Sequence, residues 1–163
     1  MKHLVFTEPG VLRWQPLPGI EAGPGQAVVR PLAVSRCDLD VAMAAFGIFP
    51  GPFPVGHEIA AEVVEVGAGV RELNVGQRVA VPFQVSCGTC RPCSERHYAA
   101  CEPNQARAGA AFGVGDAGGG HGGGLADLLL VPDADHMLVA APDSISDVAL
   151  ATIPDNVVDA YRS

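Results

Sequence analysis

The sequence predicts a mainly β protein, an irregular barrel or curled sheet carrying only a few short helices. Three observations lead there. Gly (20) and Pro (14) are spread through all 163 residues, so regular segments stay short and are joined by many turns. Apolar, valine-rich runs bounded by glycine recur along the chain and read as strands. Helical signals are confined to two places. A length of 163 residues suits one domain with a core of its own.

Taken in order, Ala27–Val34 is β-branched and apolar, is bounded upstream by Pro24 and Gly25, and reads as a strand. Asp38–Ala45 is a short alanine-rich helix that Gly47 and Pro50 stop. Ile59–Val66 is a strand in which Glu62 and Glu65 interrupt a valine-rich run before Gly67-Ala68-Gly69. Gln77–Pro82 follows a turn at Gly76, and Leu125–Val131 follows a glycine tract. Near the end, Ser144 or Ser146 caps a turn running to Ala151. Pro154 then opens a helix through Tyr161, with Val157, Val158 and Tyr161 on one face. No internal repeat is present.

The tract Gly113–Gly124 reads as a low-complexity, mobile loop. It contains a literal G-x-G-x-x-G at Gly113, Gly115 and Gly118, with Asp135 further on. A dinucleotide fingerprint needs a strand before it and a helix after it, so that the helix N-terminus faces the pyrophosphate. Further glycines follow Gly118 here, and no helix tolerates such a run. The match is rejected.

Bulk properties narrow the function classes. A net charge of −8, a pI near 4.9 and the absence of any basic run disfavour nucleic acid or an anionic membrane as partner. No apolar run approaches the ~18 residues of a membrane span, and the longest, near Leu125–Val131, is interrupted by Asp127. The opening residues meet a charge too early for a secretory signal. A cytoplasmic location is expected, with thiols kept reduced.

Cysteine is the most informative residue type. Cys87, Cys90, Cys93 and Cys101 are spaced C-x2-C-x2-C-x7-C, and Gly88 and Pro92 supply the turns between them. Four thiolates fit the tetrahedron that zinc–sulfur bonds of roughly 2.3 Å define, and they leave no open position. Such a metal holds structure. Two other readings compete. An iron–sulfur carrier fits C-x2-C-x2-C, but the x7 gap and Glu102 after the last cysteine weaken it. A disulfide framework is disfavoured by the missing signal and by the crowding of Cys87, Cys90 and Cys93.

The fifth cysteine, Cys37, lies just beyond the Ala27–Val34 strand, and Gly56-His57-Glu58 comes before the next one. Alone, Cys37 reads as a core thiol, His57 as a loop histidine, and Asp38, Asp155 and Asp159 as solvated helix charges. Phe46, Phe49 and Phe53 line a pocket or pack the core. Nothing in the spacing brings these residues together in space.

The Cys37–Asp40 segment, Gly56-His57-Glu58 with Ile59–Gly67, the four-cysteine lobe and Pro154–Tyr161 together resemble the zinc-containing medium-chain alcohol dehydrogenases. The similarity is to the GroES-like catalytic domain that precedes their nucleotide-binding domain. It implies a catalytic domain over residues 1–152, with a structural-zinc lobe at about 84–106, and residues 153–163 opening a helix toward a Rossmann domain that lies outside this chain. It implies Cys37, His57 and Asp155 as ligands of a catalytic zinc, Glu58 beside that zinc, and Asp40 hydrogen-bonded to His57. Cys87, Cys90, Cys93 and Cys101 hold the second zinc. NAD or NADP, a small alcohol or aldehyde substrate and a homo-oligomer complete what it implies for the intact protein. This chain alone is expected to bind zinc without NAD(P)-linked turnover.

The chemistry of that residue set agrees. One thiolate, one imidazole and one carboxylate leave a fourth coordination position free, as in catalytic zinc sites. A bound alcohol oxygen is polarised there, and Asp40 fixes the imidazole tautomer. Two positions depart from the family pattern. Leu39 and Ala42 stand where a hydroxyl and an imidazole commonly relay the alcohol proton, so water, Glu58 or another nearby group takes that task. A non-catalytic GroES-like scaffold or interaction module is the alternative reading.

Overall fold

The computed structural model describes residues 1–106 and 109–162. Two antiparallel sheets carry the fold. The smaller has the order β2-β1-β4, with β1 at Lys2–Glu8, β2 at Val11–Pro16 and β4 at Phe53–Pro54. The larger has the order β7-β3-β5-β6-β8. Its strands are β3 (Ala27–Ser35), β5 (Glu58–Val66), β6 (Arg78–Val81), β7 (Leu129–Val131) and β8 (Val139–Ala140). Among the described residues the α-helices are short: α1 (Asp38–Phe46), α2 (Arg91–Ser94), α3 (Ala134–Met137), α4 (Asp147–Ala151) and α5 (Val158–Arg162).

The central pair is β3 with β5, registered from Ala27 opposite Val66 to Ser35 opposite Glu58. Pro31 lies inside β3 and lacks an N–H. The ladder shifts register between Pro31 and Ala33, and β7 pairs only with Ala27–Val29. A proline is tolerated there because one edge of β3 is free beyond Val29. The main core is built from the inward side chains of these strands, among them Val29, Ile59, Val63, Val79, Val81 and Phe112.

On the other face, α4 lies against the large sheet through Leu150 and Ala151, which meet Ala60 and Ala80. Small side chains on both sides let the helix approach closely. Arg78 on β6 secures it, donating to Asp147 Oδ1 at 2.6 and 3.0 Å and to the Ile145 carbonyl at 2.7 Å. Ser146 caps α4, its hydroxyl accepting from Ala149 N.

The expected strands over Ala27–Val34, Ile59–Val66 and Gln77–Pro82 and the helix over Asp38–Ala45 are present within a residue or so. Gly47 ends α1 in the left-handed region at φ 63°. Three features differ. The β1–β2 hairpin has no counterpart in the sequence reading, because β2 presents Leu12 and Trp14 to solvent and lacks the alternation that marks a half-buried strand. The last element opens as a π-turn over Ile153–Val157, closed by Val157 N to the Thr152 carbonyl at 3.0 Å, before α5 begins. The side chains of Val157, Val158 and Tyr161 are exposed.

The third difference is the glycine tract, which packs against the sheets instead of standing free as a loop. Gly124 N bonds the Gly56 carbonyl at 2.7 Å, Leu125 N bonds Val55 O at 3.0 Å, and Leu4 N bonds Leu125 O at 2.7 Å. A Cβ at Gly123 would collide with the Val55 carbonyl, and one at Gly113 would sit 2.8 Å from Gly56 O. These glycines are there because backbone touches backbone. Gly123→Ala is therefore expected to cost about 1–3 kcal/mol, the range for overpacking a tight interior. Gly19→Ala, where a Cβ meets nothing within 4 Å, is expected to be near neutral. Denaturant midpoints of the two variants check this.

Candidate metal centres

The first centre forms where β3 ends and β5 begins. The register that sets Ser35 opposite Glu58 places Cys37, two residues past Ser35, beside His57, one residue before Glu58. Cys37 caps α1, and Asp40 in its first turn returns to accept the Cys37 backbone N–H at 3.1 Å. The π-turn brings in Asp155 from the other end of the chain.

His57 is fully buried, and both of its ring nitrogens are met by acidic or soft groups. Cys37 Sγ lies 3.3 Å from Nε2, and Asp155 Oδ2 lies 3.3 Å from that same nitrogen. Asp40 Oδ1 is 3.3 Å from Nδ1. That last contact is poorly aligned, so Nδ1 makes no satisfactory hydrogen bond. The Phe83 ring covers the imidazole at 5.2 Å between centroids. Glu58, also fully buried, is held by Asn156 Nδ2 at 3.0 and 2.8 Å.

Burial disfavours the charge on His57, but the carboxylates of Asp40, Asp155 and Glu58 outweigh it and the imidazole pKa is raised. Burial pushes the Cys37 thiol up, and burial likewise raises the Glu58 carboxyl against the backbone hydrogen bond from Asn156. Among the described residues, no lysine or arginine contacts these groups. A thiol, carboxyls and an imidazole gathered at one place are donor types that suit a divalent cation such as zinc. A ligand atom each from Cys37, Asp40, His57 and Glu58 lie within 4.8 Å of one another. Asp40 belongs to that tight group, yet it faces Nδ1. Asp155 shares the Nε2 side with Cys37, which is where an ion bound at Nε2 would sit.

The second centre is the lobe. A bridge between Gln84 and Ala111 closes its base, and Arg107 and Ala108 lie outside the described residues. The sulfurs of Cys87, Cys90, Cys93 and Cys101 lie within 4.8 Å of one another, with no disulfide. Backbone N–H groups point at them: Cys87 N at 3.3 Å from Cys101 Sγ, and Cys90 N at 3.4 Å from Cys87 Sγ. Hydrogen bonds from Thr89 lower the Cys87 thiol to about 6, and burial pushes Cys93 up to about 12.

The remaining candidates separate cleanly. Leu39 packs against a second buried cluster that includes Phe6, Met43 and Phe53, and lines a polar cleft of about 460 Å³ with Cys37, Asp155 and Asn156. Phe53 is core, stacked on Phe6 at 5.1 Å; Phe49 packs against the same cluster; Phe46 is exposed. A second cleft of about 560 Å³ runs from Asp155 past Phe83 to Ser86 and His136, which are joined by a 2.8 Å hydrogen bond. The sequence reading did not single out Asn156. Its position beside Asp155 was visible, but the π-turn that aims both side chains inward was not.

Comparison with known proteins places this arrangement. The profile of the alcohol dehydrogenase GroES-like domain matches residues 23–143. A glutathione-independent formaldehyde dehydrogenase of Pseudomonas aeruginosa is 38% identical over 151 residues, covering 87% of this chain and 38% of the relative. An uncharacterised zinc-type alcohol dehydrogenase-like protein of Bacillus subtilis is 31% identical over 160 residues, 94% of this chain and 42% of the relative. The acetophenone reductase of Geotrichum candidum, solved in complex with NAD, superposes with a TM-score of 0.78 at 28% identity, over 94% of this chain and 43% of that one. The chain thus spans about two fifths of the length of the relatives it matches.

Since all five cysteines are free, the protein unfolded in denaturant and chelator without reductant should show five titratable thiols. A count of three or one would restore the disulfide framework.

Proposed function

The chain belongs to the alcohol dehydrogenase GroES-like domain family, and on that premise we propose that it supplies the metal-binding catalytic part of a zinc-dependent, NAD(P)-linked oxidoreductase acting on small alcohols or aldehydes. One observation carries the reading. Cys37 Sγ and Asp155 Oδ2, far apart in sequence, converge at 3.3 Å on the same nitrogen of a fully buried histidine. Cys37, His57 and Asp155 hold the catalytic zinc in this reading, and Cys87, Cys90, Cys93 and Cys101 hold the structural one. The name of the Bacillus subtilis relative supports zinc, and the acetophenone reductase complex with NAD supports a nicotinamide cofactor for the intact protein.

Zinc bound in this site supplies a Lewis acid that polarises the substrate oxygen and favours loss of its proton. The surrounding residues do the rest. Asp40 faces His57 Nδ1 at 3.3 Å, although the two are not aligned as a hydrogen bond. Its charge favours a proton on that nitrogen, leaving Nε2 to ligate. Phe83 walls the imidazole from bulk water and keeps the local dielectric low. Leu39 offers no hydroxyl, so the proton departs through water in the polar cleft that Leu39 lines with Asp155 and Asn156. The large remainder of each relative's length is where the cofactor-binding portion is proposed to lie.

A non-catalytic scaffold would need the lobe alone, and it gives the convergence of Cys37 and Asp155 on the buried His57 no task. Metal analysis separates the readings. The wild-type chain is expected to carry two zinc ions. Asp155→Ala should fall to about one, because removal of a ligand from a three-ligand site costs most of its affinity. Cys93→Ser should also retain about one, from the other centre. Two ions surviving in Asp155→Ala would sink the assignment of Asp155.

A further inference from the structure

Glu58 is a fully buried carboxylate whose hydrogen bonds come from one residue. Asn156 Nδ2 donates to Oε1 at 3.0 Å and to Oε2 at 2.8 Å, and the Asn156 backbone N–H reaches Oε2 at 3.5 Å. Among the described residues no other donor reaches it. Yet an oxygen of this carboxylate lies within 4.8 Å of the ligand atoms of Cys37 and His57. Glu58 is therefore close enough to ligate an ion held there, and it is tied to something else. The tie comes from the same π-turn that aims Asp155 at His57 Nε2. One turn presents one carboxylate to the centre and restrains another.

We infer that Asn156 is a positioning residue that keeps Glu58 off the metal, so that the centre has three protein ligands and an open position. Without the side-chain amide, Glu58 is a buried charge left with only the long 3.5 Å contact from the Asn156 backbone N–H, a costly state that it relieves by turning to the nearest cation. Four protein ligands then close the site, as in structural zinc centres. The inference rests on the reading of Cys37, His57 and Asp155 as ligands.

The test uses the full chain loaded with cobalt(II), following release into EDTA of the metal equivalent that Cys37→Ser abolishes. Asn156→Leu is expected to slow that release about tenfold, the scale on which outer-shell partners tune metal affinity. It should also alter the visible absorption of that cobalt centre. Adding Glu58→Gln to Asn156→Leu should return both readings to wild type. An unchanged rate and spectrum in Asn156→Leu, or a change that persists in the double variant, overturns the inference. If Asn156→Leu does not fold, Asn156→Ser carries the same comparison, since its short hydroxyl cannot span both oxygens. A wild-type chain with one metal equivalent, insensitive to Cys37→Ser, overturns the ligand reading itself and this inference with it.

Discussion

The pairing of β3 with β5 is the constraint on which the rest depends. Cys37 and His57 are twenty residues apart in sequence, and the antiparallel ladder that ends at Ser35 and Glu58 brings them to 3.3 Å. A slip of one residue would move every side chain of a strand to the opposite face. The register is therefore held by the core: Val29, Ile59, Ala61 and Val63 are all fully buried on one continuous cluster. Two irregularities adjust the ladder, an extra residue of β5 (Val64) opposite Val28 and Val29 and an extra residue of β3 (Leu32) beside Pro31, before the far end of β3 meets β5 at the site.

What that register assembles is unfavourable without a counter-charge. Asp40, Asp155, Glu58 and the Cys37 thiol crowd one imidazole, and desolvation raises the protonation constants of Cys37 and Glu58. A protein that collects acidic groups in this way ties local folding to the ion it binds. The lobe follows the same logic in a smaller space, with four sulfurs turned inward and backbone amides directed at two of them. In both places the chain brings together groups that could share a cation.

How much of this was legible varied with the kind of signal. Strands β3, β5 and β6 were readable because a glycine bounds each valine-rich run on one side, and α1 because Gly47 stops it. By contrast, β7 is shorter than the expected Leu125–Val131 strand, and the two-residue β8 carried no signal. Cys87, Cys90, Cys93 and Cys101 announced a cluster by spacing alone. The convergence of Cys37, His57 and Asp155 was not in the spacing and entered through family resemblance, since it depends on β-pairing and on a turn near residue 155. Asn156 stayed hidden for a related reason. A π-turn has no sequence signature here, and in an ordinary α-helix neighbouring residues point about 100° apart. The glycine tract misled in the opposite sense: low complexity resembles a loop, while here the absence of side chains is what lets two backbones touch.

Phe83 occupies the last position before the Gln84–Ala111 bridge at the base of the lobe, and its ring is the wall over His57. The tether of one centre and the cover of the other are thus adjacent residues. The two centres stand mechanically in series, and any tilt of the lobe arrives at the imidazole as a displaced aromatic wall. The four-cysteine lobe would thereby have leverage over the dryness of a site it does not touch.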